Sequence, residues 1–265
     1  MKLYKYVSME SALRIVETNT IGFSRPEYFN DPFDRPFAIP LPTTNPVDGM
    51  FAEIGAQGKS YIWGRNTAVL SMTRTPTSPL MWAHYGDSHR GAVIGIDASA
   101  AGFLDEASNL IPAHYGSVIY LRQRNSGPFR SDFREPVLVG ATHHFVISHY
   151  EKWQRLFLSK PLDWAYEEEV RVVKCIRGIQ GESCKNESGV FSVVEVKTRQ
   201  ELHTFHLPRN AIVEVYAGIY AEEHQIAKLR QVRPEIPIYR GEADLNAYAV
   251  SFEMSTDSDL KRAKV

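Results

Sequence analysis

Apolar residues recur at two different spacings along this chain, and the spacings divide it into strands and helices. Leu3 to Val7 places aromatic residues at alternate positions and reads as a short strand. Ser8 then offers an N-cap for a helix whose apolar stripe is Ala12, Leu13 and Val16, with a stop near Asn19. Ile21 to Phe23 is a brief extended piece. The following stretch, Ser24 to Pro36, contains Pro26, Pro32 and Pro36 and is expected to be a rigid aromatic-rich loop without regular structure. Residues 37 to 60 continue irregularly through Pro40, Pro42 and Pro46, with a short helix around Val47 to Ile54.

Further along, Ala68 to Met72 fits a buried strand and Pro79 to Tyr85 a short helix opened by a proline in its first turn. Gly91 to Asp97 and Ser117 to Leu121 are strand-length apolar runs. Pro136 to Phe157 keeps apolar residues at near-helical spacing and predicts one long helix. The rest of the chain is rich in strands: Glu167 to Cys175, Phe191 to Val196, His203 to Leu207, Ala211 to Tyr220, Ile236 to Tyr239 and Tyr248 to Phe252. One helical segment, Ala221 to Val232, interrupts them. Helices gather early and in the middle instead of alternating with strands, which favours α+β over a doubly wound sheet. The expected layout is one α+β domain over residues 1–254 and a polar tail, possible site of disorder, over 255–265.

Composition narrows the function classes. Thirty Lys and Arg face 31 Asp and Glu, a formal charge of -1, so no global field draws the chain to nucleic acid or acidic membranes. The two cysteines, Cys175 and Cys184, match neither a redox pair nor a zinc knuckle, and a reducing cytoplasm is the expected compartment. Met1 to Tyr6 lacks the apolar core of a signal peptide, and no stretch approaches the roughly 18 apolar residues of a membrane span, so no membrane partner is expected. His143, His144 and His149 lack diagnostic metal spacing, and His203 and His206 point to opposite faces of a predicted strand, so no metal is expected.

Chemistry concentrates in Trp164-Ala-Tyr-Glu-Glu-Glu-Val-Arg171. Strand alternation puts Glu167, Glu169 and Arg171 on one face and Glu168 on the other. Trp164 and Tyr166 stand just upstream as an aromatic wall. A carboxylate on such a partly dry surface suits bonding to a sugar hydroxyl or stabilising a developing cation. The plainer alternative is a surface ion pair worth ~0.5 kcal/mol. A second cluster, Met81-Trp-Ala-His-Tyr85, puts Met81 and Tyr85 on one helical face; His84 is suited to proton transfer near neutral pH, and an aromatic core plug is the alternative. A third, Tyr28 to Asp34, offers Asn30 or Asp31 for an Asx turn, with Phe29 and Phe33 anchoring the loop against the core so that it covers a ligand; a simple turn is the alternative.

Taken in order, Leu3-Tyr-Lys-Tyr6, Phe29-Asn-Asp-Pro-Phe-Asp34, Leu80 to Tyr85 with His89 and Gly91, and Lys160 with Trp164 to Arg171 resemble a bacterial domain-of-unknown-function family, number 2971. More distantly, the opening strand, helix and extended piece, with a later glutamate-led strand, are similar to the ADP-ribosyltransferase superfamily, especially its DNA-modifying branch. That resemblance implies a strand-rich ADP-ribosyltransferase-like core and NAD as substrate. It implies Lys5, where the superfamily usually has histidine, and Tyr6 on the first strand beside NAD. It further implies Glu169, or else Glu167, at the nicotinamide ribose. Phe29, Phe33, Trp82 or Tyr85 would then stack on a ring, and Arg25, Arg74 or Arg171 would meet the pyrophosphate. An association with phage defence or toxin-antitoxin systems is likewise implied by the resemblance alone.

The leading expectation is therefore an enzyme that cleaves NAD at the nicotinamide-ribose bond and transfers ADP-ribose to a nucleic-acid base, a protein side chain or water. The alternatives are a non-enzymatic nucleotide- or nucleic-acid-binding module and an interaction component of a larger system. A nucleic-acid-binding module requires a basic stripe, with Arg122, Arg124, Arg130 and Arg134 as its source, and binding that weakens steeply with salt. A titration of single-stranded DNA at rising ionic strength checks this.

Overall fold

The computed structural model describes residues 1–36, 43–123, 142–196, 200–244 and 246–254. The strands are β1 (Lys2–Val7), β2 (Thr20–Ser24), β3 (Thr67–Thr73), β4 (Ala92–Asp97), β5 (Ile119–Leu121), β6 (Ser159–Pro161) and β7 (Glu169–Cys175). They continue with β8 (Cys184–Asn186), β9 (Gly189–Glu195), β10 (Glu201–His206), β11 (Ile212–Ala217), β12 (Ile238–Ala243) and β13 (Val250–Met254). The helices are α1 (Met9–Thr18), α2 (Pro46–Asn66), α3 (Pro79–His84), α4 (Tyr150–Phe157) and α5 (Glu223–Val232). This is a mixed α/β fold dominated by one large sheet.

Local sequence explains the opening unit. The Ser8 side chain accepts from the Ser11 amide and caps α1, while Asn19 ends the helix in the left-handed conformation with φ of 50°. Asparagine tolerates that region better than most residues, so α1 stops there and the chain turns directly into β2. Met9, Ala12, Ile15 and Val16 of α1 pack on the sheet with Ile226 and Leu229 of α5. On the opposite face, α4 places Trp153, Leu156 and Phe157 against Val69 of β3 and Val173 of β7.

Among the described residues the main sheet has 11 strands in the order β13-β12-β11-β4-β1-β3-β2-β10-β9-β8, with β7 added beside β3. The pairing at β3 governs everything that follows. One edge of β3 runs antiparallel to β7 along its whole length, from Thr67↔Cys175 to Thr73↔Glu169. The other edge is shared by two strands that touch it at opposite ends, β1 through Tyr4↔Thr73 and β2 through Ser24↔Val69. Between those points β1 and β2 diverge, each leading its own wing of the sheet.

Several expectations need correction. The long helix over Pro136 to Phe157 is not formed: residues 142 to 149 hold a bridge, a bend and a 3-10 turn, α4 starts only at Tyr150, and residues 136–141 lie outside the described residues. Phe145 is pinned instead by stacking on Tyr115 at 4.5 Å, and its amide donates to the Glu106 carbonyl. The helix around Val47 to Ile54 extends to Asn66, because Asn45 caps the Val47 amide and no proline follows Pro46 within it. The stretch after Ser24 does hold one 3-10 turn at Pro26–Tyr28. The tail 255–265 lies outside the described residues.

Lys174 of β7 is buried at 1% exposure on the face toward α1. Its ammonium donates to the carbonyls of Ser108 and Ser188 and lies 4.6 Å from the Phe205 ring centre. Desolvation lowers its pKa to about 7, opposed only weakly by Asp105. Above that value the native state holds fewer protons than the unfolded chain, so stability rises with pH between about 7 and the ordinary lysine value of 10.5. Thermal melts across that range are expected to show this rise in the wild type and to lose it in Lys174→Met.

Candidate functional site

The divergence of β1 and β2 opens a cavity of about 410 Å3. Because the opening lies within the sheet, residues from both faces of β1 line it: Tyr4, Lys5 and Tyr6. Gly22 and Ser24 of β2, and Val69, Ser71, Met72 and Thr73 of β3, complete that wall. Halfway between the two strand junctions, the Lys5 ammonium reaches across to the Ser71 carbonyl at 2.9 Å.

The charged end of the cavity is built around Arg171. Its side chain is 2% exposed, and its bonds use the whole guanidinium. Nε donates to Glu169 Oε1 at 2.8 Å and Nη2 to Glu169 Oε2 at 3.0 Å. Nη1 donates at 2.7 Å both to Asp34 Oδ1 and to the Phe157 carbonyl, while Nη2 also meets Asp34 Oδ2. With five N–H groups and five partners, no donor remains for a pyrophosphate. Arg171 therefore positions acids and does not clamp a ligand phosphate. Gly116 makes room for this strand: its carbonyl accepts from the Arg171 amide at 2.8 Å, and a Cβ there would lie 1.9 Å from the Arg171 carbonyl oxygen.

Lys160, 7% exposed, is the second organiser. Its ammonium bonds Glu167 Oε2 and, at 3.2 Å, Glu169 Oε2, and sits 4.9 Å from the Trp164 ring centre. The two glutamates are thereby brought together although they belong to different elements. Sequence alternation put both on one strand; instead Glu167 ends a 3-10 helix, Leu162–Glu167, and Glu168 turns the chain with φ of 45° before β7 begins at Glu169. Glu168 is exposed and outside the cavity. The surface ion pair considered for this segment is a buried network.

The carboxylates differ in protonation tendency. Burial pushes Glu169 up, but Arg171 and Lys160 outweigh it and hold the group far below the ordinary 4.5. Glu167 is raised above 4.5 because burial and the nearby Glu169 prevail over Lys160. Its other oxygen, Oε1, accepts the Tyr85 hydroxyl at 2.7 Å. Tyr85 is itself pushed upward by burial and by Glu167, so it stays a donor. Lys5 is lowered by burial, against the pull of Glu169 and Glu167.

The other expected residues divide clearly. Met81 of α3 and Tyr85, which caps that helix, line the cavity and so does Asn30, which is exposed. Trp82 does not: it is fully buried, its Nε1 donates to the Pro76 carbonyl at 2.7 Å, and its ring meets Tyr6 edge-on at 5.2 Å. It supports the wall from behind, and the core-plug alternative describes it. His89 stacks on the outer side of Trp82 at 6.2 Å, held there by three successive left-handed residues, Asp87, Ser88 and His89. His84 is exposed and packs near Tyr166, outside the cavity. Phe33 is 66% exposed because Asp31 Oδ1 accepts its amide in an Asx turn that projects the ring outward.

Of the other arginines considered for a pyrophosphate, Arg25 pairs with Glu201 at 2.7 Å and Arg74 bonds Ser117 Oγ at 2.7 Å, neither lining the cavity. Arg122 is described, whereas Arg124, Arg130 and Arg134 lie outside the described residues. Sequence reasoning gave no role to Asp34 and Lys160. Both stood within quoted motifs, but a partner 137 residues away, as Asp34 is from Arg171, leaves no local signal.

Residues 81–172 match a family described as "Protein of unknown function (DUF2971)", a span that contains Met81 to Tyr85, Lys160, both glutamates and Arg171. No curated protein and no solved structure matches the chain. Among the described residues, no helix is long and apolar enough to cross a membrane.

Replacing Arg171 would strand two buried carboxylates. Arg171→Met is expected to lower unfolding free energy by about 3–5 kcal/mol in urea titrations, the usual cost of breaking a buried ion pair from one side. Glu169, whose folded pKa is depressed, supplies stability above pH 4.5 that is lost as pH falls below it. The acid limb of the stability curve should therefore be shallower in Glu169→Gln.

Proposed function

We propose that the chain binds NAD in the cavity at the strand fork and cleaves it at the nicotinamide-ribose bond, passing ADP-ribose to a nucleic-acid base, a protein side chain or water. One observation carries this reading: a carboxylate kept ionised, Glu169, lies beside a carboxylate kept easier to protonate, Glu167, in a cavity walled by tyrosines. The volume falls within the roughly 300–1,000 Å3 usual for small-molecule sites.

Loss of nicotinamide leaves positive charge on the ribose, and a fixed carboxylate stabilises that charge without reorganising. Hydrogen-bond inventory divides the work. Glu169 spends its oxygens on Arg171, Lys160 and the Ser71 side chain, so it acts through its charge and holds Lys160 in place. Glu167 accepts one bond on each oxygen, from Tyr85 and Lys160, and keeps acceptor capacity for a ribose hydroxyl or an attacking water. When water is the acceptor, its oxygen bonds the ribose carbon, nicotinamide departs with the electron pair of the broken C–N bond, and the proton passes to Glu167. Lys5, bonded among the described residues to the Ser71 carbonyl, retains donors for an anionic group of the ligand. Tyr4, Tyr6 and Tyr85 offer ring faces or edges to the nicotinamide.

The saturation of Glu169 also favours a second reading, in which the cavity binds a nucleotide without turning it over. Incubation with NAD and each acceptor class, with nicotinamide release measured by chromatography, separates the two. The enzyme reading expects release by the wild type and a loss of about 10²-fold or more in Glu167→Gln. NAD left intact but raising the melting temperature supports the binding module; neither release nor stabilisation removes both.

A further inference from the structure

The outer face of α2 is at odds with a helix that ends its interactions at the sheet. Its inward face carries Ala52, Ala56 and Trp63, all buried. Its outward face carries Val47, Met50, Phe51, Ile54, Tyr61 and Ile62, each between 37% and 59% exposed. A helix apolar on both sides is normally covered on both.

The outward stripe also has a specific spacing. Val47, Phe51, Ile54, Gly58, Tyr61 and Arg65 follow alternating steps of four and three, the seam of a helix pair. Gly58 sits inside the seam, where glycine costs helix stability and where a Cβ would meet nothing within 4 Å. Nothing among the described residues requires it. An opposing side chain would.

We propose that this face is the contact between two copies of the chain, with the α2 helices packed antiparallel about a twofold axis that crosses the seam at the level of residue 56, between Ile54 and Gly58. In that register Ile54 fills the gap left by Gly58 of the partner subunit, and Phe51 meets Tyr61 of the partner subunit. The charges select the orientation. Asp48 flanks the seam near the start of α2 and Arg65 lies in it near the end, so antiparallel packing brings these unlike charges together, whereas parallel packing would oppose like ones. Arg65 then lies beside Asp48 of the partner subunit and the N-terminus of its helix, where positive charge is unfavourable by itself but compensated by that carboxylate. The seam from Val47 to Arg65 spans about 27 Å at 1.5 Å per residue. This inference is independent of what the cavity binds.

Sedimentation of the full chain from about 1 to about 100 μM tests it. The wild type is expected to form a dimer in this range. Ile54→Lys and Gly58→Lys, both tolerated by an exposed helix surface, are each expected to weaken it roughly thirtyfold or more, the scale of a central interface residue. Arg65→Asp should weaken the dimer and Asp48→Lys with Arg65→Asp should restore it. A wild type that stays monomeric, a dimer indifferent to the two lysine substitutions, or a charge swap that fails to rescue would each overturn the proposal. Circular-dichroism melts confirm that every variant folds.

Discussion

The Arg171 guanidinium is the interaction on which the rest depends. It joins three separate parts of the chain: the proline-rich loop through Asp34, strand β7 through Glu169, and the end of α4 through the Phe157 carbonyl. A guanidinium at 2% exposure is tolerable only because each of its hydrogens has an acceptor and its charge is met by two carboxylates. The same saturation removes it from ligand binding. Lys160 continues the network on the cavity side, and its ties to Glu167 and Glu169 turn an electrostatic support into a site with two unlike acids. Structure and chemistry therefore share atoms here, and Lys160 is the residue where they meet.

Several elements up to Asp97 were legible because their signals are local. Ser8, the apolar stripe of α1 and Asn19 give start, face and stop within a dozen residues, and β1, β3, β4 and α3 likewise follow from short patterns. The candidate site was legible in part for the same reason: Lys5, Tyr6, Tyr85, Glu167, Glu169 and Arg171 all line the cavity. Trp82 and Phe33 misled because aromatic character does not encode direction. One is tied inward by its indole N–H, the other turned outward by an Asx turn. Glu167 reached the expected place by an unexpected path, since period-two alternation cannot register the left-handed residue at 168.

The remaining errors arose where helical spacing competed with long-range packing. Apolar residues between 138 and 157 satisfy a helix pattern, yet Phe145 finds its partner in Tyr115 and breaks the run before Tyr150. In α2 the opposite happened. Apolar residues on every side blurred the periodicity, so a 21-residue helix read as a short one. A helix whose two faces answer to different partners has no single amphipathic signature.

The divergence of β1 and β2 from one edge of β3 has a consequence for how the cavity responds to change. A hollow made by side chains disappears when a larger residue fills it, but this one is made by main-chain hydrogen bonds that stop at Tyr4↔Thr73 and resume at Ser24↔Val69. Relocating it would require β1 or β2 to slip in register, and a slip of one residue would turn Leu3 or Ile21 out of the core. Substitutions along its walls thus alter the shape and charge of the hollow and leave its opening where the chain path put it.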